Sequence, residues 1–471
     1  MIIDEKDLFM SRFRGKFIGD RDFYAMVLAL VVPMILQNVI TNFVSMLDNI
    51  MVGQIGTEQM SGVSIVNQFI FIFNITIFGA VSGPSIFGSQ FFGKGDHEGQ
   101  KYSFRFRLIV CAAIVAVFYA VFTIFMEPLI SLYLSADDAP EVVASTLNYA
   151  KEYMTVVLLS IVPFGISQAY ASVERECGHT QIPMYGALTA VGINLVLDYG
   201  LIFGKFGLPE LGVVGAAWAT VVAEWIEAAV IIIWGHANPQ KNKYIIGVFR
   251  HFSIPWDLTK QMVRRSWPLL INEFLWVIGM SVIAQCYSVR GLEVVAARNI
   301  ASTITNLFGV VYIQMGACIS IIVGARLGAG DHAAARDMDN KLLFFATAAG
   351  AVVGLCMLPF SSLFPLLYNT EDTIRTLASY IIIVTAFGMP MWSYTNACYF
   401  TLRSGGRTGI TFLFDFVFTW AIQIPLCVVL CYFTSMDFHL LLILVTFAEL
   451  IKVVIGYFMV RSDMWVKTIV S

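Results

Sequence analysis

Apolar residues run along this chain of 471 residues in long blocks separated by short polar breaks. A bilayer's hydrocarbon core requires ~20 consecutive apolar residues of helix to cross it. Blocks of that kind fall at roughly 25–50, 61–85, 104–126, 146–172, 182–203, 211–235, 262–288, 295–325, 342–365, 376–401, 409–432 and 437–460. The breaks are short except at 236–261, "GHANPQKNKYIIGVFRHFSIPWDLTK", which is polar. The pattern predicts an all-α membrane protein with twelve transmembrane helices in two pseudo-symmetric six-helix lobes. Spans 1–6 form an N-lobe over 25–235 and spans 7–12 a C-lobe over 262–462. Residues 1–24 form a cytoplasmic N-terminal segment, 236–261 a cytoplasmic linker and 463–471 a cytoplasmic tail.

Composition agrees with that pattern. The chain is 58% hydrophobic and 13% charged, against about 25% charged in a soluble domain. A net charge of −3 gives no reason to expect a nucleic-acid partner. The eight cysteines form no C-x-x-C and lie mostly in apolar runs, so they read as small core residues rather than metal ligands or disulfide partners. The first residues are charged and mildly amphipathic, without a signal-peptide pattern.

The distribution of positive charge orients the spans. With the N-terminus in the cytoplasm, 24 of the 29 Lys and Arg fall on inside segments. Lys151, Lys205, Arg290, Arg298 and Arg375 fall outside. This bias favours twelve spans with both termini cytoplasmic, in the plasma (inner) membrane.

"GSQFFGKGDH" at 88–97 nearly matches the phosphate-binding pattern G-x-x-x-x-G-K-[ST], but Gly95 stands where a hydroxyl is needed. A true phosphate loop follows a strand and opens a helix, whereas this stretch closes an apolar helix. It also recurs: "GKGDH" at 93–97 returns as "GAGDH" at 328–332, offset by 235, without the lysine. Pro33 and Gly56 meet Pro268 and Gly291 at the same offset, and "RECGHT" at 175–180 parallels "RSGGRT" at 403–408. Both halves run from inside to inside, so they are parallel repeats. The glycine motif therefore reads as a cytoplasmic helix-turn in which Gly93 and Gly95 supply positive φ. Lys94, Lys101, Arg105 and Arg107 are expected to hold that loop on the inner face. No nucleotide is expected as a partner, and the energy is expected to come from an ion gradient or from the solute itself.

Ionisable groups within the spans each need a reason, because one at the bilayer centre costs ~2.5–3.5 kcal/mol on insertion scales. Asn194 and Asp198 are four apart on one helix face, a hard-oxygen pair suited to sodium or to a proton. Asp48 in "SMLDNIMVG" and Glu273 in "PLLINEFLW" are further candidates, the plain alternative for Asp48 being an interfacial acid at the outer end of span 1. For Glu273 the plain alternative is pairing with Arg264 or Arg265. The repeat sets Ile283 opposite Asp48, Asn38 opposite Glu273, and Ile422 and Leu426 opposite Asn194 and Asp198, so the acids are not duplicated. Glu227 reads as interfacial, Glu224 as a support for Thr220 or a group facing a wet cavity, and Glu449 and Lys452 as mutually neutralising. Asp415 shows no partner in the sequence. Polar and aromatic side chains unsuited to lipid suggest a substrate cavity: Gln37, Asn38, Asn42, Gln68, Trp276, Gln285, Trp392 and Tyr394, with Met and Phe as adaptable apolar surface.

Five stretches, taken together, resemble the multidrug and toxic compound extrusion (MATE) family of cation-coupled antiporters over essentially the whole chain. They are "VSMLDNIMVGQIG" at 44–56, "NLVLDYGLIFG" at 194–204, "GVVGAAWAT" at 212–220, "ERECGHTQIPM" at 174–184 and the repeated "GKGDH". The resemblance implies two lobes around a central cavity, and export of small, amphipathic, often cationic organic compounds in exchange for sodium ions or protons. It implies a cation site, for sodium or a proton, of Asp48, Asn194, Asp198 and Thr220, and an acid in the second half at Glu273. Tyr199 stands where some relatives have proline, and span 10 lacks the carboxylate that some relatives carry. No cofactor beyond the coupling ion is implied, and the protein is expected to be a monomer in the lipid bilayer. The alternative within transporters is a flippase for lipid-linked precursors, which needs a basic cavity. Lys and Arg are nearly absent from the expected membrane interior, which favours cations. No nucleophile–base pairing indicates an enzyme.

Overall fold

The computed structural model describes residues 15–134 and 139–470. Among the described residues there is no strand, and twelve helices are long and apolar enough to cross a membrane. They are α1 (Arg21–Gly53), α2 (Thr57–Lys94), α3 (His97–Ile124), α4 (Pro140–Glu176), α5 (Gln181–Phe203), α6 (Val213–Ala237), α7 (Trp256–Ser288), α8 (Leu292–Gly328), α9 (His332–Leu367), α10 (Asp372–Ser404), α11 (Thr408–Tyr432) and α12 (Phe438–Arg461). Several exceed the apolar block that marks them in the sequence. The 38 residues of α2 make a rod of about 57 Å at 1.5 Å per residue, against ~30 Å of hydrocarbon.

Two compact units emerge. One, the C-terminal unit, takes the described residues through Val31 together with Ser89–Asp96 and residues 263–470. The other, the N-terminal unit, takes Val32–Gly88 and His97–Met262. The boundary within α1 lies beside Pro33, which sits inside the helix and removes one backbone hydrogen bond there.

The repeated glycine motif has two separate jobs. Gly95 and Gly330, which correspond in the two repeats, have φ of 75° and 77°, left-handed values that suit glycine. Gly178 and Gly406 correspond likewise, at 86° and 72°. After Gly330, Asp331 caps α9 by accepting from the Ala334 amide at 3.0 Å, which satisfies a free donor of the first turn. Gly93 departs from expectation: it lies in α2 and has no positive φ. Its role is close packing. A Cβ on Gly93 would lie 1.8 Å from the Ala325 carbonyl oxygen, and one on Gly328 would lie 1.9 Å from that of Gln90. A Cβ on Gly324 would meet Ser89 Cβ at 2.8 Å. Small residues four apart on both helices, Ser89 with Gly93 and Gly324 with Gly328, let the backbones touch. Gln90 adds polar ties, with Nε2 donating to Ser404 O at 3.0 Å and Oε1 accepting from the Ile469 amide at 2.8 Å.

Arg105 and Arg107 take part in packing. Both lie in α3 and both are buried. Arg107 is fully buried and pairs with Glu176 at 2.8 Å, while donating to Ser172 Oγ and Pro84 O. Arg105 donates to the carbonyls of Val248, Ser253 and Gly247. The polar segment after α6 is thereby fastened to α3. Tyr244, fully buried, completes the attachment by donating to Glu174 Oε1 at 2.8 Å. Burial beside that carboxylate raises the Tyr244 hydroxyl well above its usual pKa, so it stays a donor.

The glycines offer a direct comparison. Gly330→Ala puts a Cβ into open space at positive φ and is expected to cost about 1–2 kcal/mol. Gly328→Ala must push two backbones apart and is expected to cost more than ~3 kcal/mol, beyond ordinary overpacking. Thermal unfolding of the detergent-purified protein checks the order. A smaller loss of melting temperature for Gly328→Ala than for Gly330→Ala would contradict the close crossing.

Candidate functional site

In the N-terminal unit, three helices bring polar groups together inside the apolar interior. Asp48 comes from α1, Asn194 and Asp198 from one face of α5, and Thr220 from α6. Asn194 and Asp198 are 6% and 1% exposed. The Asp48 and Asp198 carboxyls meet, with Asn194 beside Asp198. Among the described residues, Asp198 Oδ1, Asp198 Oδ2 and Asp48 Oδ1 are buried without a hydrogen-bond partner. Two facing carboxylates are both acceptors and cannot satisfy each other. Leaving buried acceptors orphaned costs about 1–3 kcal/mol each, more when charged. A cation between them, either a proton or a hard ion such as sodium that takes oxygen ligands, would satisfy these acceptors. The donor set present, two carboxylates with an amide and hydroxyls nearby, fits either.

The structure adds one residue to this group. Tyr153, from α4, is 5% exposed and stands beside Asp48, Asp198 and Thr220. Its hydroxyl donates to Asn67 Oδ1 on α2 at 3.5 Å. The sequence offered no signal for it, since one tyrosine in an apolar run looks like packing. Thr220 Oγ1 donates to its own helix, to Ala216 O at 3.1 Å. Glu224 and Glu227, further along α6, neighbour one another, and Glu227 neighbours Arg175. Glu224 Oε2 is buried without a partner among the described residues. Arg175 donates to Gln37 Oε1 at 3.2 Å.

The C-terminal unit holds a different set. Glu273 lies inside α7, where Pro268 also lies within the helix. Its charged neighbours are Arg403 and Asp415 rather than Arg264 or Arg265. Arg265 instead donates to Gly406 O. Asp415, which showed no partner in the sequence, accepts from Lys452 Nζ at 2.7 Å and from Asn272 Nδ2 at 3.0 Å. Lys452 is only 3.8 Å from Glu449, so the expected pair on one helix exists but is the looser contact. Thr395 donates to Glu449 at 2.9 Å. Lys452, one of the 24 charges assigned to the inside by sequence, lies within α12 with a side chain 12% exposed. The expectation of almost no basic groups in the interior is corrected accordingly. Asp339 on α9, 1% exposed, accepts from Thr401 at 2.6 Å and was not singled out in the sequence.

The expected cavity residues take these places. In the N-terminal unit Gln37 is buried, Asn38 Nδ2 donates to Met34 O at 2.9 Å, and Asn42 and Gln68 are exposed. In the C-terminal unit Trp276 and Gln285 are exposed, and Trp392 and Tyr394 are half-buried. Among the described residues no cluster of three or more His, Cys, Asp or Glu could hold a metal ion. Cys111, Cys286, Cys318, Cys398, Cys427 and Cys431 are free and buried.

The family model described as MatE matches residues 33–200 and 268–429. The chain is 24% identical over 414 residues to the probable multidrug resistance protein NorM of Thermotoga maritima, covering 86% of this chain and 85% of that one. It is 23% identical to the probable multidrug resistance protein YoeA of Bacillus subtilis, covering 86% and 87%. Among solved structures, a mutant of the Vibrio cholerae MATE transporter VcmN superposes with a TM-score of 0.82 at 17% identity, covering 94% of this chain and 98% of that one. A MATE protein in its bent conformation gives 0.80 at 19%, covering 94% and 95%. Both share the fold.

Tyr153→Phe keeps the ring and removes the hydroxyl. A lost neutral hydrogen bond is worth about 1 kcal/mol, so transport is expected to fall about fivefold with little change in folding. Initial efflux rates beside melting temperatures decide this, and an unchanged rate would place Tyr153 in packing alone.

Proposed function

This chain belongs to the MatE family, and on that premise we propose that it is a secondary antiporter exporting small, amphipathic, often cationic organic compounds in exchange for sodium ions or protons. Members of the family are multidrug efflux transporters rather than enzymes, and the chain is a multi-pass membrane protein. The observation that carries the finer reading is the meeting of Asp48 and Asp198 with three orphaned, buried carboxylate oxygens. A pair left that way is a site for an exchangeable positive charge. Asn194, Thr220 and Tyr153 supply neutral oxygens around it, and Glu273 supplies an acid in the other unit.

Filling the pair with a proton or sodium removes repulsion between two carboxylates in a poorly solvated place. The ion can favour one arrangement of α1 only through different affinity in the two arrangements. A 100-fold difference corresponds to roughly 2.7 kcal/mol. The bias of Lys and Arg supports both termini in the cytoplasm. Around Glu273 in the C-terminal unit, the acids Glu273, Asp415 and Glu449 outnumber Lys452 and Arg403. That excess of negative charge supports cationic cargo over the pyrophosphate of a lipid-linked precursor.

Two measurements test this reading. In inverted vesicles under a sodium or a proton gradient imposed separately, one gradient is expected to drive uptake of a cationic dye. Asp198→Asn is expected to lower that uptake at least tenfold with expression preserved, because an amide is easier to insert than a carboxylate. Lys94→Ala, at the false phosphate loop, is expected to keep most activity. Near-normal uptake by Asp198→Asn, or uptake driven by ATP without any ion gradient, would overturn the proposal.

A further inference from the structure

The basic group in α12 does more than neutralise one neighbour. Lys452 Nζ lies 2.7 Å from Asp415 Oδ1 and 3.8 Å from Glu449 Oε1. The rings of Phe414 and Phe418 present their faces to the same nitrogen, each with its centroid 5.3 Å away. Both carboxylates are positioned from outside: Asn272 donates to Asp415, and Thr395 to Glu449. Just after Asp415, α11 opens into a π-helical turn over Phe418–Gln423. Such single turns carry an extra residue, re-aim neighbouring side chains and recur at functional sites. Two oriented carboxylates and two aromatic faces around one positive nitrogen make a receptor for an ammonium group. Here the chain's own ammonium fills it.

We propose that Lys452 is a built-in cation: the tethered occupant of a site for a primary ammonium or alkali ion formed by Asp415, Glu449, Phe414 and Phe418. With the lysine in place the site is closed to free cations. Without it, the same cage binds a small free one. The claim does not depend on the antiport reading, because it is read from binding to purified protein.

The experiment uses full-length protein carrying Asp198→Asn, which removes one acid of the other unit's pair. Into that background Lys452→Ala is introduced, and melting temperature is followed against ethylammonium chloride and sodium chloride. N-methylglucamine chloride at equal ionic strength is the control. A saturable rise with ethylammonium or sodium is expected in Asp198→Asn/Lys452→Ala, absent from Asp198→Asn alone, and abolished by adding Asp415→Asn. If the double variant is recovered folded only when ethylammonium is present from solubilisation onward, that also supports the proposal. A response equal in all variants, no response above the N-methylglucamine control, or failure to recover folded protein even in ethylammonium would overturn it and leave Lys452 a structural ion pair.

Discussion

Charge withdrawn from water must be compensated where it lies, and this constraint organises the interior of the protein. Lipid supplies no hydrogen bonds, and a buried ion left alone is far costlier than one that is paired. The chain meets the constraint in three ways. Arg107 and Glu176 are matched as a fully buried pair that also binds α2 and α4 to α3. Arg105 is matched to backbone carbonyls and so fixes the segment after α6. Lys452 is matched to Asp415 and Glu449. Asp48 and Asp198 are the contrasting case, with acceptors facing acceptors.

That contrast gives the two halves different characters on a repeated scaffold. Backbone features are duplicated: the left-handed glycines at 95 and 330, and at 178 and 406, match to within about 15° in φ. The acids Asp48, Asp198 and Glu273 within the spans are not duplicated. A repeat conserves what the backbone must do to turn and pack, because those demands are set by geometry common to both copies. Charged positions can diverge, since each needs only its own local partner. The glycines that let α2 and α8 touch belong to the shared part. Without them the ends of those helices could not meet at backbone distance, and Gln90 could not reach Ser404 and Ile469.

Much was legible in the sequence because membrane burial leaves one-dimensional marks. Twelve apolar blocks gave twelve helices, since backbone groups in lipid must be satisfied within the segment. The spacing of Asn194 and Asp198 put them on one helix face, and the failure of the phosphate-loop pattern followed from the helix that carries it. What the sequence could not show were partners chosen by packing between helices. Asp415 looked unpartnered because Lys452 is 37 residues away. Tyr153 looked like filler because its neighbours come from four other helices. Gly93 looked like a turn residue because nothing local distinguishes a glycine that must turn from one that must be thin. The sequence by itself determined the helices, their number and the costly groups they carry, as these follow from local composition and period. Only the tertiary structure decided which charges are matched and which are left open, because that depends on helix faces meeting across long separations in the chain.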